Sequence, residues 1–194
     1  MTPIVLLHRC APQVSAVTMA AIVKQESGGN PLTLHDNTTG KSYRPASYAA
    51  AALLARELIA QGHSVDIGLA QINSKNLPWL DLNVAQVIGP CANIRAAQTI
   101  LLRGWKQSSG DLRGALAAYN TGNAGSETGQ KYAERVFSRA GVIVPSIPGG
   151  KLANWTLADV GHTGGGLPPV RPAITWTPQA SPLSPKSSGL AARW

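Results

Sequence analysis

The chain has 194 residues, 44% of them hydrophobic, enough apolar material for one buried core of ordinary size. Seventeen Lys and Arg against nine Asp and Glu give a net charge of +8, which favours polyanionic partners. The basic residues are nevertheless scattered, and the single Phe, Phe137, leaves little for an aromatic platform, so no nucleic-acid partner is expected. No stretch approaches the roughly 18 apolar residues that span a bilayer, since even Ala46 to Ala60 is interrupted by Arg56 and Glu57, and the chain is not expected to be transmembrane.

Met1 to Cys10 offers one apolar run, Ile4-Val5-Leu6-Leu7, with no Lys or Arg before it, a poor match to a secretory signal that leaves the export route open. From Val14 to Glu26 two sets, Val14, Val17 and Ala21 and then Thr18, Ile22 and Glu26, recur at helical spacing, and Ser15 is placed to cap the start. Ser27-Gly28-Gly29-Asn30-Pro31 stops that helix, because Gly accepts the left-handed closing conformation and Pro cannot continue it. Glu26 is thereby expected at a helix end, facing a loop. Leu32 to Arg44 holds Asp36-Asn37 and Thr39-Gly40-Lys41 between short extended runs and reads as a small hairpin or a β-lobe.

Ser47 to Gln61 is rich in strong helix formers, with Gly62 as its stop. Helical patterns follow over Val84 to Ile88, Ala92 to Gln107, Leu112 to Tyr119 and Gly129 to Ala140. The expected body, residues 1–144, is therefore mainly α with a small β element, an α+β arrangement. Residues 145–194 hold eight of the fourteen prolines together with Gly164-Gly165-Gly166, and such a Pro- and Gly-rich tail is expected to be flexible. Trp155, Trp176 and Trp194 in it are candidate anchors for a partner protein or a glycan. Cys10 and Cys91 are an even pair, but spacing alone is equally compatible with two free buried thiols.

Glu26 follows the mostly apolar Ala20-Ala21-Ile22-Val23, and a carboxyl in apolar surroundings resists ionisation. Glycosidic bond cleavage needs such a proton donor near neutral pH. Three strings then occur in order at intervals of roughly forty to fifty residues: Glu26-Ser27-Gly28-Gly29-Asn30-Pro31, Gly68-Leu69-Ala70-Gln71-Ile72-Asn73 and Ala118-Tyr119-Asn120-Thr121-Gly122. Together they resemble the signature motifs of the soluble lytic transglycosylases, over about Cys10 to Gly141. That resemblance implies a lysozyme-like fold, Glu26 as the catalytic residue, and peptidoglycan glycan strands as substrate.

It further implies that Ser27 supports the site, that Gln71 and Asn73 meet the sugar, and that Tyr119 and Asn120 line the groove. Tyr132, in Gln130-Lys131-Tyr132-Ala133, best matches a Tyr that approaches the catalytic carboxyl. Val65-Asp66-Ile67-Gly68 and Gly89-Pro90-Cys91-Ala92-Asn93-Ile94 are similar to the branch attached to type IV secretion and conjugation systems. Membership of that branch implies a periplasmic or envelope location, a Cys10–Cys91 disulfide, and secretion-system proteins as partners of the tail. Ala70 stands where many relatives carry Met, and Gly28-Gly29 replaces an aromatic-containing turn of some branches, which leaves fine substrate preference open.

The mechanism implied is substrate-assisted, with 1,6-anhydro ends as product. Asp66 is the rival second carboxylate that would make a hydrolysing lysozyme, although acceptance of backbone N–H bonds at a turn is its expected role. Asp36 reads as turn chemistry. A non-catalytic wall-binding adaptor is the alternative from another class. His8, His35, His63 and His162 have no metal-ligand spacing, so neither a metal nor any other cofactor is expected. Ser27 has no His and Asp partners in the order a serine hydrolase needs.

Overall fold

A computed structural model of the chain describes residues 3–140, so the segment from 145 onward, with Trp155, Trp176 and Trp194, lies outside the described residues, as does His162. Within them the chain forms α1 (Pro3–Cys10), α2 (Ala16–Ser27), β1 (Leu34–Asp36), β2 (Lys41–Tyr43), α3 (Tyr48–Ala60), β3 (Val65–Ile67) and β4 (Ile72–Asn73). A 3₁₀ turn (Ser74–Asn76), α4 (Val84–Val87), α5 (Pro90–Gln107), α6 (Leu112–Thr121) and α7 (Glu127–Arg139) complete it. The fold is thus mainly α with a small antiparallel sheet, as the sequence leads one to expect.

Local chemistry explains the helix starts. The side chains of Ser47, Asp111 and Ser126 each accept a backbone N–H in the first turn of the helix that follows, and Asn83 and Gln86 cap each other reciprocally. Three expectations need correction. Ser15 precedes α2 but makes no side-chain cap bond, and the helix runs one residue beyond Glu26 before Gly28 closes it at φ +64°. Val17, expected on the apolar stripe, is exposed, because the buried arc of α2 is made by Ala16, Thr18, Met19, Ala21 and Ile22.

Three features fix how the helices carry the site. Cys10, at the end of α1, is bonded to Cys91, in the first turn of α5, so the N-terminal helix is tied to the long central one. The α5, α6 and α7 helices pack through small residues. A Cβ on Gly104 of α5 would lie 2.7 Å from the Ala115 carbonyl of α6, and one on Gly129 of α7 would lie 2.7 Å from Ala117. That close approach seats α7 against both α6 and α2, which brings residues of α7 to the last turn of α2.

The sheet has the order β2-β1-β3-β4, antiparallel throughout. Leu34, Asp36, Val65, Ile67 and Ile72 point into the core. The alternate positions pair across the strands as Ser42–His35, His35–Asp66 and Asp66–Asn73, so one face of the sheet carries a continuous polar row.

Candidate active site

Glu26 occupies the last turn of α2, where the helix meets the loop 28–33. Tyr132 reaches it from α7: its phenol donates to Glu26 Oε1 at 2.5 Å, and the ring itself is buried. Burial is the main influence on Glu26 and pushes its pKa up from 4.5 to about 7. The Tyr132 hydrogen bond and the positive charge of Arg135 pull it down, while the negative charge of Asp66 adds to the rise. Arg135 lies over the Tyr132 ring at 5.8 Å from its centroid. The result is a carboxyl that holds its proton up to neutral pH and has one oxygen fixed in direction.

Glu26, Asp66 and Gln71 line both of two adjoining cavities. The larger, about 740 Å³, runs past Asn37, Asn73, Trp79, Arg103 and Tyr119. The smaller, about 430 Å³, is bounded by Thr33, His35, Ser42 and Arg44. The polar row of the sheet contributes to both. The two cavities meet at Glu26, Asp66 and Gln71.

The loop Gly68–Gln71 is anchored on every side. The Ser27 hydroxyl donates to the Leu69 carbonyl at 2.7 Å, the Tyr119 phenol to the Ala70 carbonyl at 2.7 Å, and the Ala70 N–H donates to the buried Asn93 side chain at 2.8 Å. Gln71, at φ 48°, donates its side-chain amide to the carbonyls of Thr33 and Gly68. Burial and the nearby carboxyls of Glu26 and Asp66 raise the Tyr119 phenol well above its ordinary value, so it stays a neutral donor.

The residues implied by the three strings therefore converge, but in divided roles. Glu26, Gln71, Asn73, Tyr119 and Asn120 line the larger cavity, and Asn120 is exposed there. Ser27 is buried, and its oxygen is engaged by the Leu69 carbonyl and the Gly29 N–H. Asn73 donates to Ser64 and Asp66. The amide hydrogens of Gln71 and of Asn73 thus already have partners within the protein, and the Asn73 oxygen accepts from the Lys75 N–H and the Ser64 hydroxyl, so of the two side chains it is Gln71 that keeps a carbonyl oxygen for a ligand.

Asp66 departs from expectation. It accepts not backbone N–H groups but the side-chain amides of Asn73, at 2.6 Å to Oδ1, and Asn37, at 2.8 Å to Oδ2. Burial raises its pKa, and the two amides and His35 oppose that rise. Asp66 pairs with His35, one residue from Asp36 on β1, so the Asp36 side chain falls on the opposite face of the sheet, in the core. Burial would raise Asp36 too, but hydrogen bonds from Thr39, the Thr38 N–H and His63 outweigh it and hold the carboxyl at about 2. Asp36 is a buried structural anion that ties the β1–β2 turn to His63.

The sequence matches the family model for the transglycosylase SLT domain over residues 6–138. The chain belongs to the SLT domain family. This SLT domain is also similar to Protein virB1 of Agrobacterium fabrum, 35% identical over 148 residues, which are 72% of this chain and 60% of that protein. Protein virB1 of Rhizobium radiobacter is 35% identical over 148 residues, 72% of this chain and 61% of that protein. The type IV secretion system protein virB1 of Brucella suis biovar 1 is 34% identical over 157 residues, 74% of this chain and 66% of that protein. The chain thus spans about three fifths to two thirds of the length of these relatives. No solved structure matches it.

Sequence reasoning missed several members of the SLT cleft. His35, Ser42, Asn37 and Arg44 sit on or beside strands of three residues, too short for alternation to show which side chains share a face. Trp79 and Arg103 meet across 24 positions of sequence, and nothing in either neighbourhood marks the pairing.

Proposed function

We propose that the chain cleaves the β-1,4 bond between N-acetylmuramic acid and N-acetylglucosamine in peptidoglycan and leaves 1,6-anhydromuramic ends. The observation that carries this reading is a single carboxyl with its pKa near 7 at the junction of two cleft arms, in a chain of the SLT family. Protonated Glu26 donates to the glycosidic oxygen as the bond to the anomeric carbon breaks, and the muramyl N-acetyl oxygen stabilises the positive charge that develops there. The departing N-acetylglucosamine keeps that proton. Ionised Glu26, held by Tyr132, then takes the proton of the same sugar's 6-hydroxyl, whose oxygen closes on the anomeric carbon. Glu26 ends protonated again, and no water enters the product.

The similarity to virB1 proteins supports a place in the cell envelope, where local wall opening serves a type IV secretion or conjugation apparatus. Among the described residues no helix is long and apolar enough to cross a membrane. The tail from 145 onward is the proposed attachment for secretion-system proteins.

One observation favours a second reading, a hydrolysing lysozyme. Asp66 lines the same cleft as Glu26, with both oxygens held by amides as a fixed anion beside a developing cation would need. Mass analysis of muropeptides released from sacculi separates the two. Ends lighter by one water support the transglycosylase, and reducing ends support the lysozyme. Release by the wild-type chain and none by Glu26→Gln is expected; no release by either leaves only a wall-binding adaptor.

A further inference from the structure

The larger arm of the cleft contains a group that the reaction at Glu26 does not use. Trp79 is an exposed aromatic, 42% accessible, whose indole N–H donates to Asn76 Oδ1 at 3.0 Å. The guanidinium of Arg103, from α5, lies over its ring at 5.1 Å from the centroid. Lys75 lines the same arm. The cation–π contact holds the guanidinium beside the indole. Among the described residues neither Arg103 nor Lys75 has a carboxylate partner. The acids of this arm, Glu26 and Asp66, are already hydrogen-bonded by Tyr132 and by Asn37 and Asn73.

An indole platform beside two cations without carboxylate partners, in an arm whose acids are already hydrogen-bonded, is built for a ring that bears an acid. We propose that this arm is a subsite for an anionic sugar, which stacks on Trp79 while a carboxylate attached to it is taken by Arg103 and Lys75. The proposal rests on the glycan-cleaving reading above. In a strand of alternating N-acetylglucosamine and N-acetylmuramic acid the acid belongs to the muramyl branch, either as the free lactyl carboxyl or as the carboxylates of a stem peptide joined to it. An uncharged chitin strand satisfies Trp79 but leaves both cations unpaired, so the subsite distinguishes wall glycan from other polymers of N-acetylglucosamine.

The test uses the full chain carrying Glu26→Gln, so that binding is read without turnover, titrated with three oligosaccharides. One bears peptide stems, one has been stripped by an amidase and keeps its lactyl carboxyl, and one is a chitooligosaccharide. Adding Lys75→Gln and Arg103→Gln together is expected to weaken binding of an acidic strand about tenfold, or about 1.4 kcal/mol, and binding of the chitooligosaccharide less than twofold. Loss on the stem-bearing strand alone assigns the anion to the peptide, and loss on both acidic strands assigns it to the lactyl carboxyl. Trp79→Ala should weaken all three strands by a similar factor, which separates the platform from the charge. Arg103→Lys should recover part of the loss, and thermal unfolding of each variant checks its fold.

Equal loss on all three strands, or no loss on any, overturns the proposal. Sacculus cleavage by the chain with Glu26 intact is measured in parallel. Cleavage without charge discrimination removes the subsite and keeps the proposed function, whereas neither binding nor cleavage removes both.

Discussion

Replacing Glu26 by Gln removes an acid whose charged form the fold disfavours, and the variant is expected to be more stable than the wild-type chain in mild alkali. Glu26 has a pKa of about 7 in the folded protein against 4.5 ordinarily. Between those two values the folded state binds more protons than the unfolded state, so wild-type stability falls as pH rises through this window. Above it the loss is complete. At 1.36 kcal/mol per pH unit the interval gives a ceiling of about 3 kcal/mol, and partial solvent access reduces this to about 2 kcal/mol. Gln keeps an oxygen to accept the Tyr132 phenol, so the substitution removes the charge and little else. The measurement is thermal unfolding by circular dichroism of both proteins from pH 4 to pH 9. The two melting temperatures should lie close at pH 4 and separate by about 6 °C at pH 8.5, with Glu26→Gln the higher. A separation that does not depend on pH, or a wild-type chain that gains on the variant as pH rises, refutes the claim that burial holds this proton.

Tyr132→Phe removes a hydrogen bond that favours ionised Glu26, so the alkaline limb of the kcat/KM profile should move to higher pH while kcat falls about tenfold through lost orientation. Asp66→Asn removes a neighbouring negative charge and should move that limb to lower pH; a profile that does not shift contradicts the coupling. Asn93→Ala strips the buried amide that holds the Ile67 and Val87 carbonyls and the Ala70 N–H, and should cost about 3 kcal/mol in urea unfolding. Cys10→Ser with Cys91→Ser opens a link across a sequence separation of 81, and the expected loss is about 2–4 kcal/mol in the same assay.

Much of the helical framework is legible in the sequence because its signals are local. The Ser27-Gly28-Gly29 stop after Glu26, the Ser47 cap with Gly62 beyond its helix, and the spacing within Ala92 to Gln107 each act within a few residues. The α1 helix escapes notice because eight residues with one apolar run do not define a period. The β3 and β4 strands, of three and two residues, are held by pairing, β3 with β1 and β4 with β3, rather than by their own propensity. The same limit applies to the site. Motif order marks Glu26, Gln71 and Tyr119, but the amide pair that fixes Asp66 comes from Asn37 and Asn73 on separate strands or turns, and the stack of Arg103 on Trp79 joins α5 to a loop. Such pairings arise from register and helix packing, which no window of sequence contains.

Digestion of sacculi in water enriched in oxygen-18 tests most directly whether one carboxyl moves the proton both ways with no water consumed. The account predicts muropeptides that carry no heavy oxygen at the cleaved end, and no release at all from Glu26→Gln. Heavy oxygen at the anomeric carbon of the released muramic acid would contradict it and assign the attack to water.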